Sequence, residues 1–449
     1  MAWAGKIKVA VVGAGIAGLA AAYELKKAGV SVKVFEQSNR PGGRMTTRLT
    51  RGLVFDGGAD FFSENFLTLK TYAKQLGIEW LGTQKNGRHR VIRGGKAYYL
   101  TFASLGDLAR FKLLSPISRI RLGLCLVRLM LMRPRFDLFD LSTIPSRYDF
   151  DNATNYVSRV AGKEIADYMV DSFTSTMQFH RAEQISTAAL FALTQTMVSK
   201  ETRFALCSTP NGMNEIPKAL AKKLNVSFGQ KVKSVTPASG GKVTVGLAKG
   251  RAELFDAVVI AAPAPRAAEL LPKKFSDRQK FLSAVRYAST ITVAFAIPDD
   301  LFSEKTHLSY VPFIESKLIG GYANEGAKGG RRSYQGKTLL NVYLQEESAR
   351  KMMAWPKQKI FEKVLIELNK LCPEVSLNRR SISPLAIERW PLAMPKFDHR
   401  YISSARKFTS EFQGSHGLYF AGDYLNAPWT EGAARSGLRA AQAIIQERL

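Results

Sequence analysis

Cysteine is scarce: the 449 residues hold 3, Cys125, Cys207 and Cys372, with no CxxC spacing among them. That excludes a disulfide framework and a cysteine-based zinc site, and it fits a reducing, cytoplasmic compartment. Acids are short as well. Lys and Arg total 65 against 37 Asp and Glu, a formal net charge of +28, a surplus that suits an acidic partner such as an anionic membrane surface. The surplus comes without an RNP, zinc-finger or helix-turn-helix signature, so nucleic acid is not an expected partner. The 5 histidines, His89, His180, His307, His399 and His416, share no ligand spacing, and no metal centre is expected. No apolar run reaches the ~20 residues that a bilayer-crossing helix requires. Lys6 and Lys8, ahead of the uncharged run from Val9 to Tyr23, imitate a secretory leader, but the glycines inside that run explain it better.

What is present begins with those glycines. The stretch from Lys8 to Phe62 opens on Val9, Ala10, Val11 and Val12, a short apolar run suited to a buried parallel strand. It leads into Gly13, Ala14, Gly15, Ile16, Ala17 and Gly18, a GxGxxG turn. The first glycine allows the turn, the second lets a pyrophosphate approach the backbone, and the third lets the next helix lie close on the sheet. That helix, predicted to run from Ile16 to Ala28, offers its amides and positive dipole end to phosphates. A second strand from Ser31 to Phe35 ends in Glu36 and Gln37, where an acid accepts from ribose hydroxyls. The unit is a complete dinucleotide-binding βαβ.

Two further glycine loops follow: Gly42-Gly43-Arg44, and Gly57-Gly58-Ala59 with Asp60. They are more than a diffusible nicotinamide cofactor requires. The tail carries the counterpart, a strand ending at Gly422-Asp423, then Trp429, Thr430, Glu431, Gly432 and Ala433 opening a helix predicted to run from Glu431 to Ile445. The amides of Gly432 and Ala433 at that helix start can stabilise charge on a reduced ring by the dipole.

Head and tail together resemble the flavin-containing amine oxidase superfamily, which includes monoamine and polyamine oxidases, protoporphyrinogen oxidase and phytoene-type desaturases. The resemblance implies an α/β fold: a Rossmann-like (GR2-type) FAD-binding domain with an inserted α+β substrate domain. It implies FAD, with Gly42, Gly43 and Arg44 near its phosphates and ribityl chain and Gly57 to Asp60 near the isoalloxazine. It sets Val232 either against the adenine or in plain sheet packing, and Trp390 and Trp429 either at the flavin face or in the core. Ser38 stands where amine oxidases often carry arginine. The family's lysine is missing from the strand around Ser289 to Phe295, and so is the cysteine loop of covalent members, so FAD is expected to be non-covalent. The implied activity is hydride abstraction from an organic substrate. A lipophilic isoprenoid, polyene or porphyrinogen is preferred, with a primary or secondary amine as the alternative, and a non-redox flavin-bound isomerase or binding protein as the reading of another class.

The chain divides, on this reading, into an FAD-binding domain of residues 1–97, 224–268 and 396–449 and a substrate domain of 98–223 and 269–395. Hairpins are expected around Gly82, Gly87 and Gly94-Gly95 at the edge of the first domain. The glycine pairs Gly320-Gly321 and Gly329-Gly330, with a lysine between them, predict a loose, exposed loop. The segment from Arg110 to Arg135 has seven basic residues and no acid amid Leu, Ile and Met, the composition of an interfacial segment on an anionic membrane, or else of a packed helix with solvated arginines.

Overall fold

The computed structural model describes residues 7–82, 88–101, 105–199, 205–302 and 306–449, so that Lys6 and Gly87 lie outside the described residues. At its centre is a parallel five-stranded sheet in the spatial order Val226–Ser227, Ser31–Phe35, Lys8–Val12, Ala257–Ile260, Leu418–Phe420. Val12 registers with Phe35 on one side and Ile260 on the other. Strands from head, middle and tail of the chain therefore share one carboxyl edge, where open α/β sheets bind ligands.

The crossover helix Ile16–Lys27 and the long C-terminal helix Thr430–Arg448 pack against each other and against this sheet. Two glycines set how close these layers come. A Cβ on Gly18 would collide with the carbonyl oxygen of Gly13, and one on Gly437 would collide with that of Ala17. Gly13 has φ +107°, the turn conformation its position demands.

A seven-stranded sheet runs in the order Ser383–Pro395, Tyr287–Pro298, Lys337–Leu344, Ile319–Asn324, Leu308–Tyr310, Arg88–Arg93, Lys96–Thr101. The strand Tyr287–Pro298 is buried at every residue but its last. It reads YASTITVAFAIP because both faces are covered, Ile291, Val293, Phe295 and Ile297 by the helix Lys357–Leu371 on one side, and Ala294 and Ala296 by Leu53 and Phe55 on the other. The hairpin expected at the edge of the first domain, Arg88–Arg93 with Lys96–Thr101, joins this second sheet instead, by parallel pairing with Leu308–Tyr310.

The loose, exposed loop expected around the paired glycines is confined to Gly329 and Gly330, which are exposed with φ +70° and +65°. Gly320 and Gly321 lie in a wholly buried strand, and Lys328, just beyond it, is 0% exposed. A Cβ on Gly321 would strike Thr176 and the Ser309 carbonyl. These glycines let the helix Ser172–Met177 settle on the sheet; conformational freedom is not their role.

Candidate active site

The phosphate turn is preformed. Gly15 is the N-cap of the first helix, and the space where its Cβ would be is open to 4 Å. Glu36 reaches back over the turn: one carboxylate oxygen accepts from the Ala14 amide at 2.7 Å, the other from the amide and hydroxyl of Ser38 at 2.9 and 2.7 Å. Ser38, in place of an arginine, thus holds the acid in position. Gln37 is exposed beside it. The Gln230 amide donates to the Glu36 carbonyl at 2.8 Å, which brings the strand Val232–Pro237, with Val232 buried at its start, to the same corner.

The second loop closes on the first. Gly42 donates to the Ala14 carbonyl at 2.8 Å, and an isolated bridge joins Gly15 to Gly42. Arg44 then spans the molecule: its guanidinium meets both carboxylate oxygens of Asp423, at 2.7 and 2.9 Å, and donates to the Ala393 carbonyl at 2.7 Å. This fork ties the GGR loop of the head to the GD turn of the tail across 379 residues. Asp423 is 7% exposed at the side chain and Arg44 30%. Tyr287 lies under the Arg44 guanidinium, 5.9 Å from ring centre to Cζ, and lines a polar cleft of about 370 Å³ with His180, Gln345, Glu346 and Lys396.

Gly58 is required by backbone approach, and Gly57 is crowded by the side chains of Phe55 and Glu388. A Cβ on Gly58 would collide with the Arg44 carbonyl and come within 3.2 Å of the Trp390 ring, and the Ala59 amide donates to that same carbonyl at 2.9 Å. Trp390 is pinned by its indole N–H on the Gly57 carbonyl at 2.7 Å. Trp429, 6% exposed, sits beside Phe61 with ring centroids 6.4 Å apart. Phe61, one residue past Asp60, is an aromatic neighbour that no motif singles out.

Three expected contacts resolve differently. The C-terminal helix begins at Thr430, one residue early, so Ala433 is its fourth residue and its amide bonds to the Trp429 carbonyl at 2.9 Å. The amides ahead of the first helical bond are those of Thr430, Glu431 and Gly432. The Glu431 carboxylate is taken up by capping the helix Leu67–Gln75, accepting from Thr68 and Leu69 amides at 2.9 and 3.1 Å. Asp60 turns its carboxylate away from the glycine loop, into a buried ionic cluster.

That cluster escaped sequence reasoning. Lys328 places its ammonium 2.8 Å from Asp60 and from Glu325, and 3.5 Å from Asp56. Arg332 bonds Asp56 at 2.7 Å and approaches Glu325 at 3.3 Å. His307 Nε2 lies 3.1 Å from Asp60 and 3.8 Å from Glu325. Asp60, His307 and Glu325 bring ligand-type atoms within 4.8 Å of one another, but the Lys328 ammonium already bonds both carboxylates. Three carboxylates face two permanent cations, so neutrality demands one further proton, on His307 or Glu325. Burial alone would raise Asp60, yet Lys328 and His307 hold it well below the usual carboxylate range. Burial, then the charge of Asp60, raises Glu325. Burial opposes the imidazolium of His307, but its bond to Asp60 outweighs this and raises its pKa. Tyr343, registered opposite Thr292, borders the cluster, its phenol held protonated by burial and the neighbouring Asp60 and Glu325.

The residues present fit a bound dinucleotide. Beyond the open turn at Gly15, the tail carries buried polar atoms without partners: Thr430 Oγ1 at the helix start, and both amide atoms of Asn426. A buried polar group without a partner costs about 1–3 kcal/mol, a cost that a ligand rich in hydroxyls and carbonyls would remove.

A family model described as flavin containing amine oxidoreductase matches residues 16–445. Protoporphyrinogen oxidase 2, chloroplastic/mitochondrial, of Arabidopsis thaliana is 29% identical over 170 residues, 37% of this chain and 31% of that protein's length. The flavin-dependent L-tryptophan oxidase RebO of Lentzea aerocolonigenes is 24% identical over 489 residues, 98% of each chain. A solved triple mutant of putrescine oxidase superposes with a TM-score of 0.78 at 17% identity, covering 99% of this chain and 100% of that one.

Proposed function

The chain belongs to the flavin-containing amine oxidoreductase family, with the Rossmann-like fold of its FAD-binding members, and on that premise we propose that it oxidises a lipophilic organic substrate with non-covalently bound FAD. The observation that carries this is the Arg44–Asp423 fork, which joins the GGR loop of the head to the GD turn of the tail at the sheet's carboxyl edge.

FAD, when bound, supplies the two-electron acceptor. The chain supplies the rest. The phosphate-turn amides and the first helix's dipole would hold the pyrophosphate, and the Glu36 carboxylate would accept from a ribose hydroxyl. Arg44 and Asp423 orient the middle of the cofactor. The first-turn amides of Glu431 and Gly432, with the helix dipole behind them, would stabilise negative charge on the reduced cofactor. Phe61, Trp390 and Trp429 give apolar walls that exclude water. We assign the cofactor unit to residues 7–82, 224–268 and 396–449, with the hairpin Arg88–Arg93 and Lys96–Thr101 moved to the substrate unit because its hydrogen bonds lie in the seven-stranded sheet.

A lipophilic substrate is favoured by these aromatic walls and by Thr292 and its neighbours, which offer no lysine on the strand Tyr287–Pro298. It implies delivery at a membrane surface, through the basic segment from Arg110 to Arg135. Anaerobic titration with porphyrinogens, polyenes and amines tests the reading. A lipophilic compound should bleach the flavin absorbance; bleaching by amines alone transfers the assignment to amine oxidation, and turnover without bleaching transfers it to a non-redox isomerase.

A further inference from the structure

The helix Pro116–Leu131 presents an apolar stripe to solvent. Ile117, Ile120, Leu124, Val127 and Leu131 recur at alternating spacings of three and four, and they are 64%, 66%, 67%, 44% and 75% exposed. At 100° per residue these five fall within one narrow sector of the helix. Scattered surface leucines need no explanation, whereas an aligned row of five marks an interaction surface. Ser118 is the helix's one fully buried residue, and the inner side rests on the helix Thr187–Val198.

The charge around the stripe identifies its occupant. Arg121 and Arg128, both exposed, flank one edge of it, and Arg133 and Arg135 are exposed just past its C-terminal end. Between Asp107 and Asp137 the chain contains no acid. A second copy of this face would set arginine against arginine with no carboxylate to pair. Anionic headgroups match both features, with guanidinium groups at the phosphate level and long stems lying along the apolar row.

The helix is also held in place. Ser115 caps it and bonds Glu164 at 2.8 Å, Glu164 bonds Arg93 at 2.6 Å, and Leu122 and Cys125 rest against the core. A rigid face loses little freedom on docking.

We propose that the helix Pro116–Leu131 lies flat on an anionic lipid surface, with its Ile117 to Leu131 stripe in the acyl boundary and its arginines on the headgroups. As the route by which a lipophilic substrate arrives, this rests on the function proposed above; as a docking surface it is independent of the redox chemistry.

The test is cosedimentation of the full-length holoprotein with vesicles of phosphatidylcholine alone, or with about a third phosphatidylglycerol. Binding is expected on the anionic vesicles only, weakened in high salt. Each surface arginine contributes about fivefold, so Arg121→Ala with Arg128→Ala lowers partitioning about thirtyfold. Ile120→Asp with Leu124→Asp removes two buried apolar anchors and lowers it by about a hundredfold or more. Bound flavin and circular dichroism check that the variants remain folded. Equal binding of the wild type to neutral vesicles, binding by the aspartate variant, or a vesicle-free dimer that the aspartate variant dissolves would each overturn the proposal. Flavin bleaching by soluble substrate is scored separately, so a protein that ignores vesicles yet oxidises its substrate refutes the docking alone.

Discussion

Replacing His307 by Gln leaves Asp56, Asp60 and Glu325 facing, among the described residues, the two cations Lys328 and Arg332, all of them buried. The variant has one way to restore neutrality, which is to protonate Glu325. From an ordinary glutamate pKa of about 4.3, holding that proton at pH 7 costs at most about 3.7 kcal/mol, at about 1.4 kcal/mol per pH unit. Burial and Asp60 already raise Glu325 in the fold, which trims the cost. The expected penalty of His307→Gln at pH 7 is therefore about 2–4 kcal/mol, close to the ~3–5 kcal/mol for stripping one partner from a buried pair, and it shrinks as the pH is lowered. Glu325→Gln should cost less, because it removes the surplus charge. The double variant should recover most of the loss of His307→Gln, a coupling readable as a double-mutant cycle. Urea denaturation at several pH values, followed by tryptophan fluorescence, measures all three. If the double variant is no more stable than His307→Gln, or if the penalty is the same at pH 5 as at pH 7, the shared-proton argument is wrong.

The wild type carries its own signature of the same cluster. The folded pKa of His307 is raised, so its contribution is complete below the unfolded value of about 6.5 and is lost as the pH rises through the folded value, by up to about 1.4 kcal/mol per unit. The folded pKa of Asp60 is lowered, so its contribution is present above about 3.9 and is lost as the pH falls through the folded value; a stability profile against pH should decline on both sides. Gly58→Ala would push the Arg44 carbonyl off its seat, and the purified variant should lose most of its FAD while circular dichroism changes little. Gly437→Ala would force the two central helices apart at Ala17, with an expected loss of about 1–3 kcal/mol in urea denaturation. Asp423→Asn keeps the shape but removes the carboxylate charge that faces Arg44, and FAD affinity should fall about tenfold or more by fluorescence quenching titration.

What could be read from the sequence was local. Gly13, Gly15, Gly18 and Glu36 lie within one βαβ unit, so their spacing alone fixed the turn and the strands, and Ser31–Phe35 begins and ends where expected. The Arg44–Asp423 fork was not legible: the resemblance placed each residue near one cofactor without pairing them, and no spacing rule links residues 379 apart. The ionic cluster had no such aid. Its members come from residues 56, 60, 307, 325, 328 and 332, and Gly320 and Gly321 ahead of Lys328 imitate a surface loop because small residues serve close packing as well as turns. Glu431 shows the same limit: its motif is local, but the helix end it caps lies 362 residues away.

The central claim is that both ends of the chain enclose one flavin nucleotide, and the most direct measurement is equilibrium titration of FAD into protein stripped of cofactor. One FAD per chain should bind, turn the protein yellow, and come free intact on denaturation, with weaker binding in Asp423→Asn and Gly58→Ala. A well-folded protein that stays colourless in excess FAD, or that binds it equally well in both variants, would contradict the account.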